Sequence, residues 1–181
     1  VNAPFRDWKL TNFEGGLRVP MFAKWPARIP AGMRVDNPVA HIDMMPTMAA
    51  AAEAANPANV VIDGLNILPL ATEAGARDWS RETLFWQSGY YRVVRHGDWK
   101  LQVSTSPNKA WLYDLAADPT EQNNLADSRS DKLEQLKALL DAHKAAGHKP
   151  LYPYVSEMAV AVDKTLADYF EDGDEYIYWP N

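Results

Sequence analysis

Four short runs of strand-forming residues between positions 83 and 115 constrain the fold of this chain more than any other feature. The runs are TLFWQ (83–87), YYRVVR (90–95), DWKLQV (98–103) and AWLYDL (110–115). They are rich in β-branched and aromatic residues, and only short turn segments such as His96-Gly97 separate them. Consecutive strands joined by short turns pair as antiparallel neighbours. The sequence therefore predicts a four-stranded antiparallel meander.

A helix is predicted shortly after the meander. Apolar residues recur at helical spacing over 133–143, which is typical of a helix with one buried face. Asp131 and Glu134 have the spacing of a capping box, and Gly147 is a candidate C-terminal stop. We expect one leucine face of this helix to pack on one face of the meander. The tail from residue 150, which is rich in proline, aromatic and acidic residues, is expected to lie across the surface.

The region before the meander is predicted to contribute one strand and one helix. LRVPMFAKWP (17–26) alternates in the manner of a short strand, and Pro20 places that strand at a sheet margin. The alanine-rich segment after HIDMMPT favours a helix, with Asp43 as its N-cap and Pro46 in its first turn. Residues 57–82 are expected to be mostly connection.

Composition excludes several classes of function. The 181 residues include no cysteine, which removes disulfides, thiolate metal sites and cysteine nucleophiles. A net charge of −6 without a long cationic run argues against a general nucleic-acid binder. No apolar run approaches the roughly 18 residues that a membrane span requires. The four histidines lie far apart and show no metal-ligand spacing. We therefore expect neither nucleic acid nor membrane as a partner.

One lysine stands close to a tight glycine turn. In FRDWKLTNFEGGLRVP (5–20), Lys9 is followed by Glu14, Gly15 and Gly16, and then by Arg18. The two glycines allow a sharp turn because they have no Cβ. Judged by residue type alone, a solvated surface lysine is the simplest interpretation of Lys9. A structural ion pair is the simplest interpretation of Arg18.

Five segments, in order, resemble the C-terminal half of the formylglycine-dependent sulfatases of the alkaline phosphatase superfamily. They are KLTNFEGGLRVPMF with the WP loop that follows it, HIDMMPT, DGLNILPL, RHGDWKL and LYDLAADPTEQNNLA. Their order and spacing match the family to about residue 126. The resemblance implies that the parent protein is an arylsulfatase-like enzyme that hydrolyses sulfate esters.

The resemblance implies one catalytic role in this chain. In the family, the lysine at the position of Lys9 contacts the sulfate group, where an ammonium stabilises charge that develops on the ester oxygens. The residues expected to support that turn, rather than to touch substrate, are Glu14, Gly15, Gly16 and Arg18. His96, in a predicted hairpin turn, is a second candidate for contact with substrate.

The other parts of the family's active site are not recognisable in this sequence. The formylglycine nucleophile is made from the cysteine or serine of a Cys/Ser-x-Pro/Ala-x-Arg motif, which does not occur here. The acidic pairs that hold a divalent metal, expected to be Ca²⁺ in the parent enzyme, lie upstream of the glycine motif in the family. Asp36-Asn37 follows that motif and is not interpreted as a metal pair. We therefore expect no metal ligand in this chain and no catalysis by the chain alone.

The predicted fold class is α/β, or α+β for a fragment. The resemblance implies that residues 1–80 are the end of an alkaline-phosphatase-like α/β domain. It implies that residues 81–181 form a small domain with a four-stranded antiparallel sheet, a packed helix and a tail. Separated from its sheet neighbours, the first segment would expose an edge and apolar side chains. We therefore expect association with the missing N-terminal catalytic half, or self-association.

Two further functions remain open at this point. A related hydrolase of the same superfamily would cleave phosphate or phosphonate esters, and a non-catalytic interaction module would have kept only the fold. Retention of Lys9 favours a hydrolase over a pure scaffold. The resemblance is compatible with a periplasmic or secreted parent enzyme, but the sequence does not locate it. The first residue is Val1 rather than methionine, which predicts a processed chain or a piece of a longer protein.

Overall fold

The computed structural model describes residues 3–72, 81–149, 151, 157–164 and 169–180. The chain forms two compact units, one of Val1–Pro20 with Glu82–Asn181 and one of Met21–Arg81. The predicted domains divide the chain after residue 80, whereas the first twenty residues belong to the same compact unit as the C-terminal sheet. As an assignment of the parent enzyme's domains, the division at residue 80 stays a prediction.

The elements of the larger unit are α1 (Glu14–Leu17), β1 (Thr83–Ser88), β2 (Tyr91–His96), β3 (Trp99–Thr105), β4 (Asn108–Asp114), α4 (Ser130–Ala146), β5 (Glu157–Ala161) and β6 (Tyr176–Pro180). Those of the smaller unit are a 3₁₀ turn (His41–Asp43), α2 (Met44–Ala51) and α3 (Leu68–Thr72). Within the described ranges, no helix has both the length and the apolar character that crossing a bilayer requires.

The predicted meander is confirmed. Its strands pair in the order β1-β2-β3-β4, and every neighbouring pair is antiparallel. The register places Leu101 of β3 between Val94 of β2 and Leu112 of β4. Side chains alternate between the two faces of a strand, so these three residues share one face of the sheet.

Helix α4 covers that face. Leu136 and Leu140 of the helix pack against Val94, Leu101 and Leu112 in one apolar cluster. The expected packing of a leucine face on the meander is therefore confirmed. The capping box is wrong, because α4 begins at Ser130 with no side-chain capping bond, and the Asp131 carboxylate pairs with the Arg129 side chain. The helix does end before Gly147, as predicted.

The opposite face of the sheet is also covered. A second apolar cluster joins Tyr91, Val93, Trp111 and Tyr113 of the sheet to Phe13, which precedes α1. Val160, Val162 and Ile177, which lie in or beside the antiparallel pair β5–β6, complete this cluster. The expectation that the tail lies across the surface is therefore wrong for these residues, because their side chains fill the core. Within the tail, residues 150, 152–156, 165–168 and 181 lie outside the described residues.

The strand predicted over 17–26 is wrong. Leu17 ends α1, and none of the described strands includes residues 18–26. A strand is stabilised by pairing with a neighbour, and Pro20 and Pro26 each lack a donor for such a ladder. The predicted helix after HIDMMPT is confirmed as α2, and residues 57–72 contain the short α3 within the expected connection.

Asp43 is the N-cap residue of α2, as predicted. Its side chain makes no capping bond to α2. Instead, the fully buried carboxylate accepts hydrogen bonds from the backbone N–H groups of Ala40 (2.7 Å) and Leu65 (2.9 Å) and from both terminal nitrogens of Arg81 (2.6 and 2.8 Å). This bidentate pair connects distant parts of the smaller unit. Hydrogen bonds between two charged groups are stronger than neutral ones, so the carboxylate pairs with Arg81 and does not cap α2.

Candidate functional site

Lys9 lies on a tight turn that is anchored on both sides of it. Its side chain is exposed and makes no hydrogen bond or ion pair with any described residue. The preceding residue, Trp8, packs against the cluster on the β5–β6 side of the sheet. The Thr11 backbone N–H donates to the Trp8 carbonyl (3.3 Å), and the Thr11 hydroxyl donates to the same oxygen (3.1 Å). The turn thus presents an exposed ammonium from a backbone that is tied to the core.

The two glycines lie where no side chain would fit. A Cβ on Gly15 would stand 2.3 Å from the carbonyl oxygens of Arg6 and Asp7, and a Cβ on Gly16 would stand 2.1 Å from the carbonyl oxygen of Thr11. Gly15 also donates its N–H to the Arg6 carbonyl at 2.8 Å. The glycines therefore allow α1 to pack directly against the backbone of the Lys9 turn.

Beneath the turn lies a buried ion-pair triad of Glu14, Lys100 and Glu121. The Lys100 ammonium lies 2.9 Å from a carboxylate oxygen of each glutamate, and the three side chains are 0–6% exposed. Glu121 also accepts the backbone N–H of Glu14 at 2.5 Å. The triad connects three separate parts of the chain: the first residue of α1, the central strand β3 and the loop after β4.

The polar network continues along the same face of β3. The Gln102 amide lies 3.3 Å from Glu121, and the Tyr91 hydroxyl donates to the Gln102 side-chain oxygen. Burial raises the pKa of Glu121, and the Lys100 ammonium opposes that shift. Burial, together with the nearby Glu121 carboxylate, raises the pKa of Tyr91. The phenol therefore stays protonated and serves as a donor.

Arg6 connects the Lys9 turn to the tail of the unit. Its guanidinium donates to the carbonyl oxygens of Val162 (2.5 and 3.0 Å) and Glu121 (2.9 Å) and to the Tyr113 hydroxyl (3.0 Å). It also stacks 4.4 Å from the centre of the Phe13 ring. One planar cation thereby links four parts of the chain that sequence separates by up to 156 positions.

Asp7 is a buried carboxyl group in the turn. It is 7% exposed, and neither carboxyl oxygen has a hydrogen-bond partner among the described residues. Burial raises its pKa to about 6, while the neighbouring Thr11 and Arg6 act in the opposite direction. Its backbone adopts a left-handed conformation with φ of 65°. A buried carboxyl two residues before Lys9 is therefore neutral in mildly acidic solution.

The two remaining predicted residues, Arg18 and His96, each contact a neighbouring side chain. The Arg18 guanidinium stacks 4.6 Å from the centre of the Phe5 ring, and no ion pair joins it to a described residue. His96 ends β2, where its Nδ1 lies 2.8 Å from the Thr83 hydroxyl across the β1–β2 pair. It makes no hydrogen bond to Lys9, so contact of His96 with substrate stays a prediction.

Three residues that support the turn, Arg6, Lys100 and Glu121, were not predicted from the sequence. Both Lys100 and Glu121 lie within the segments RHGDWKL and LYDLAADPTEQNNLA, which carry the resemblance. Alternation in WKLQVS is consistent with Lys100 and Gln102 on the face of β3 opposite Leu101 and Val103, but a local pattern does not show that this face is buried. Pairing with Glu14, 86 positions away, depends on the tertiary fold.

The described residues do not fit the metal that the resemblance implies. No group of three His, Asp or Glu side chains in the described part of the chain could hold a metal ion. The sequence also lacks a cysteine that could become formylglycine.

Comparison with known proteins gives a consistent result. Residues 6–146 match the family described as N-sulphoglucosamine sulphohydrolase, C-terminal. The chain is 34% identical to human steryl-sulfatase over 122 residues and 33% identical to arylsulfatase A of Bos taurus over 198 residues. These matches cover 67% and 89% of this chain. The chain spans only 20% and 37% of the length of those two relatives.

A solved structure supports the fold. The crystal structure described as Ps i-CgsB matches with a TM-score of 0.71 and 27% identity over 84% of this chain and 34% of that chain. Together with the family match, this confirms the resemblance and the fold class expected from the sequence. The chain belongs to the sulfatases, in the family described as N-sulphoglucosamine sulphohydrolase, C-terminal.

Proposed function

We propose that this chain is the C-terminal part of an enzyme that hydrolyses sulfate esters, and that Lys9 contacts the substrate sulfate. One observation carries the proposal. Lys9 is an exposed cation without a described partner on a turn whose base is fully buried and ion-paired. A surface lysine with no function does not need such support.

The chemistry follows from the charge. Cleavage of a sulfate ester builds negative charge on the leaving oxygen and the non-bridging oxygens. A fixed ammonium stabilises that charge without reorganising, because the protein has already oriented it. We propose that the formylglycine nucleophile and a divalent metal, Ca²⁺, are supplied to the complete enzyme by residues outside this chain.

Lys9→Met in the complete sulfatase tests the role of Lys9. We expect kcat/KM for an aryl sulfate to fall about a hundredfold to a thousandfold, the usual effect of removing one preorganised charge-stabilising group. Lys144→Met is the matched control, because Lys144 is an exposed lysine of the last turn of α4 with no described side-chain partner. A Lys9→Met enzyme within twofold of the parent would contradict the contact.

The same assay separates the alternatives. We propose that the purified 181-residue chain has no sulfatase activity by itself, and a Lys9-dependent activity of that chain would be inconsistent with this. The complete enzyme should prefer an aryl sulfate to the matching aryl phosphate or phosphonate. The opposite preference would identify a phosphate or phosphonate ester hydrolase. Absence of all three activities would favour an interaction module.

We also propose that the smaller unit associates with another polypeptide, either the N-terminal catalytic half or a second copy. It exposes several large apolar side chains, including Phe22 (91%), Val61 (88%) and Met48 (65%). Single exposed apolar side chains are common on protein surfaces, but several in a unit of this size favour a surface that binds another polypeptide.

A further inference from the structure

We infer that Lys100 is a positioning residue for Lys9; this role rests on the proposed contact between Lys9 and sulfate. Lys100 is fully buried in the central strand β3. It cannot reach substrate itself, because its ammonium is occupied by Glu14 and Glu121 at 2.9 Å each. Any effect on the reaction must therefore be transmitted through the turn above it.

Stability alone does not explain this triad. Burying charges requires their desolvation, and a well-packed apolar group in place of a buried ion pair is often as stable or more stable. Buried ion pairs are instead suited to selecting one geometry, because each partner must meet the other at hydrogen-bond distance. Glu121 also takes a left-handed backbone conformation, with φ of 56°, in presenting its carboxylate. The arrangement accepts local strain to hold Glu14 at one position.

The path from Lys100 to Lys9 is short and continuous. Lys100 holds the Glu14 side chain, and Glu121 holds the Glu14 backbone N–H. The next residue, Gly15, donates to the carbonyl of Arg6, which begins the turn. Loss of the Lys100 ammonium would release the end of the turn that follows Lys9 and weaken the bond that closes it. A displacement of about 1 Å at a reacting group can lower a rate about a hundredfold.

Tyr91 and Gln102 fix the position of the Glu121 carboxylate, and this position suits a lysine at position 100. Gln102 approaches the Glu121 oxygen that also meets Lys100, and Tyr91 fixes the Gln102 amide. One oxygen of the Glu121 carboxylate binds the Glu14 backbone N–H, and the other faces both the Gln102 amide and the Lys100 ammonium. A neutral apolar side chain at position 100 would leave two buried carboxylates without a counter-ion.

A double-mutant cycle in the complete sulfatase tests this inference. Lys100→Met should lower kcat/KM for an aryl sulfate about tenfold to a hundredfold. If Lys100 acts through Lys9, the double variant Lys9→Met/Lys100→Met should be no slower than Lys9→Met alone, to within about twofold. A merely structural role would instead give losses that multiply. Multiplied losses, or a Lys100→Met enzyme as active as the parent, would overturn the inference.

The cycle also separates the two proposals. A large loss in Lys9→Met with no coupling to Lys100 would overturn the positioning role and leave the sulfate contact intact. A fully active Lys9→Met enzyme would overturn both. Arg92→Met is the matched control, because it removes an ion pair with Asp141 from the neighbouring strand β2. That variant should stay within about twofold of the parent, and its effect should multiply with Lys9→Met.

Lys100→Gln covers the case in which Lys100→Met does not fold. The glutamine amide keeps an N–H donor for one carboxylate but removes the charge. We expect a smaller loss of kcat/KM with the same lack of additivity toward Lys9→Met. Hydrogen exchange at the Gly15 amide should also be faster than in the parent, while exchange within α4 is unchanged. Unchanged exchange at Gly15 together with multiplied losses would overturn the inference.

Discussion

Asp7 illustrates how a single residue sets the pH response of the Lys9 turn. Its folded pKa is raised to about 6 by burial, above an ordinary value of 3.8. The folded state therefore retains a proton that the unfolded state has released. The stabilisation from this group is complete below pH 3.8 and is lost as the pH rises through about 6.

We predict that Asp7→Asn removes this part of the pH dependence. Asparagine is neutral at every pH and tolerates the left-handed φ of 65°. The free energy of unfolding of the variant minus that of the parent should be about 2 kcal/mol larger at pH 7.5 than at pH 4. Urea unfolding at the two pH values measures this difference.

Asp127→Asn is the matched control for this prediction. Asp127 is exposed in the turn before α4 and has no described side-chain partner. The difference between Asp127→Asn and the parent should be the same at both pH values, to within about 0.5 kcal/mol. A pH-independent effect of Asp7→Asn would show that the Asp7 carboxyl is not held protonated in the fold.

A second prediction at this scale concerns the glycines of α1. Gly16→Ala would force a Cβ to within 2.1 Å of the Thr11 carbonyl oxygen, so the backbone of the turn would have to move. We expect a loss of at least about 3 kcal/mol in the free energy of unfolding. Gly147→Ala is the control, because its nearest neighbour would lie at 3.5 Å and its φ is −79°. Equal melting temperatures for the two variants would contradict the close packing of Gly16 against the Thr11 carbonyl.

Among the elements, strand β3 departs most from the usual interpretation of its sequence. Alternation of polar and apolar residues is typical of a strand with one solvated face. In β3, however, Lys100, Gln102 and Ser104 are as buried as Leu101. The polar face is covered by residues 3–17 and by β5–β6. Its one charged side chain, Lys100, is paired with Glu14 and Glu121. The polar pattern of this strand therefore marks an internal polar layer.

The tail that forms β5 and β6 gives a prediction for an element. Ile177 is fully buried in the cluster that contains Tyr113 and Phe13. Ile177→Ala should cost about 2–4 kcal/mol of unfolding free energy, since it leaves a cavity in that core. Leu151→Ala is the control, because Leu151 is 90% exposed. If both substitutions change the melting temperature equally little, the tail does not close the core.

For the whole molecule, the exposed apolar side chains of residues 21–81 make a prediction about association. Phe22→Ser together with Val61→Ser should shift the sedimentation of the protein toward the monomer, because both side chains are almost fully exposed. The melting temperature of the monomer should be nearly unchanged, as for most surface substitutions. Sedimentation of the unsubstituted 181-residue chain as a monodisperse monomer without any partner would contradict the proposed association.

Local pattern was sufficient for the elements that pair with near neighbours in sequence. The meander and α4 were predicted because short turns and a 3.6-residue period specify them within a few tens of residues. The strand over 17–26 failed for the complementary reason, since a strand requires a partner and none of the described strands supplies one there. The N-cap position of Asp43 was predicted correctly, but its carboxylate binds Arg81, 38 positions away, instead of capping the helix.

The sequence by itself determined the family, the antiparallel meander, the packed helix and the lysine beside two glycines. The strands, the helix and the glycine motif depend on residues that lie close together in the chain, and the family follows from the order of such short segments along it. Only the tertiary structure decided that Glu14, Lys100 and Glu121 meet beside the Lys9 turn, that Asp7 is buried without a hydrogen-bond partner among the described residues, and that part of the tail enters the core. Burial and long-range ion pairing depend on which distant segments come together, and no local periodicity encodes that choice.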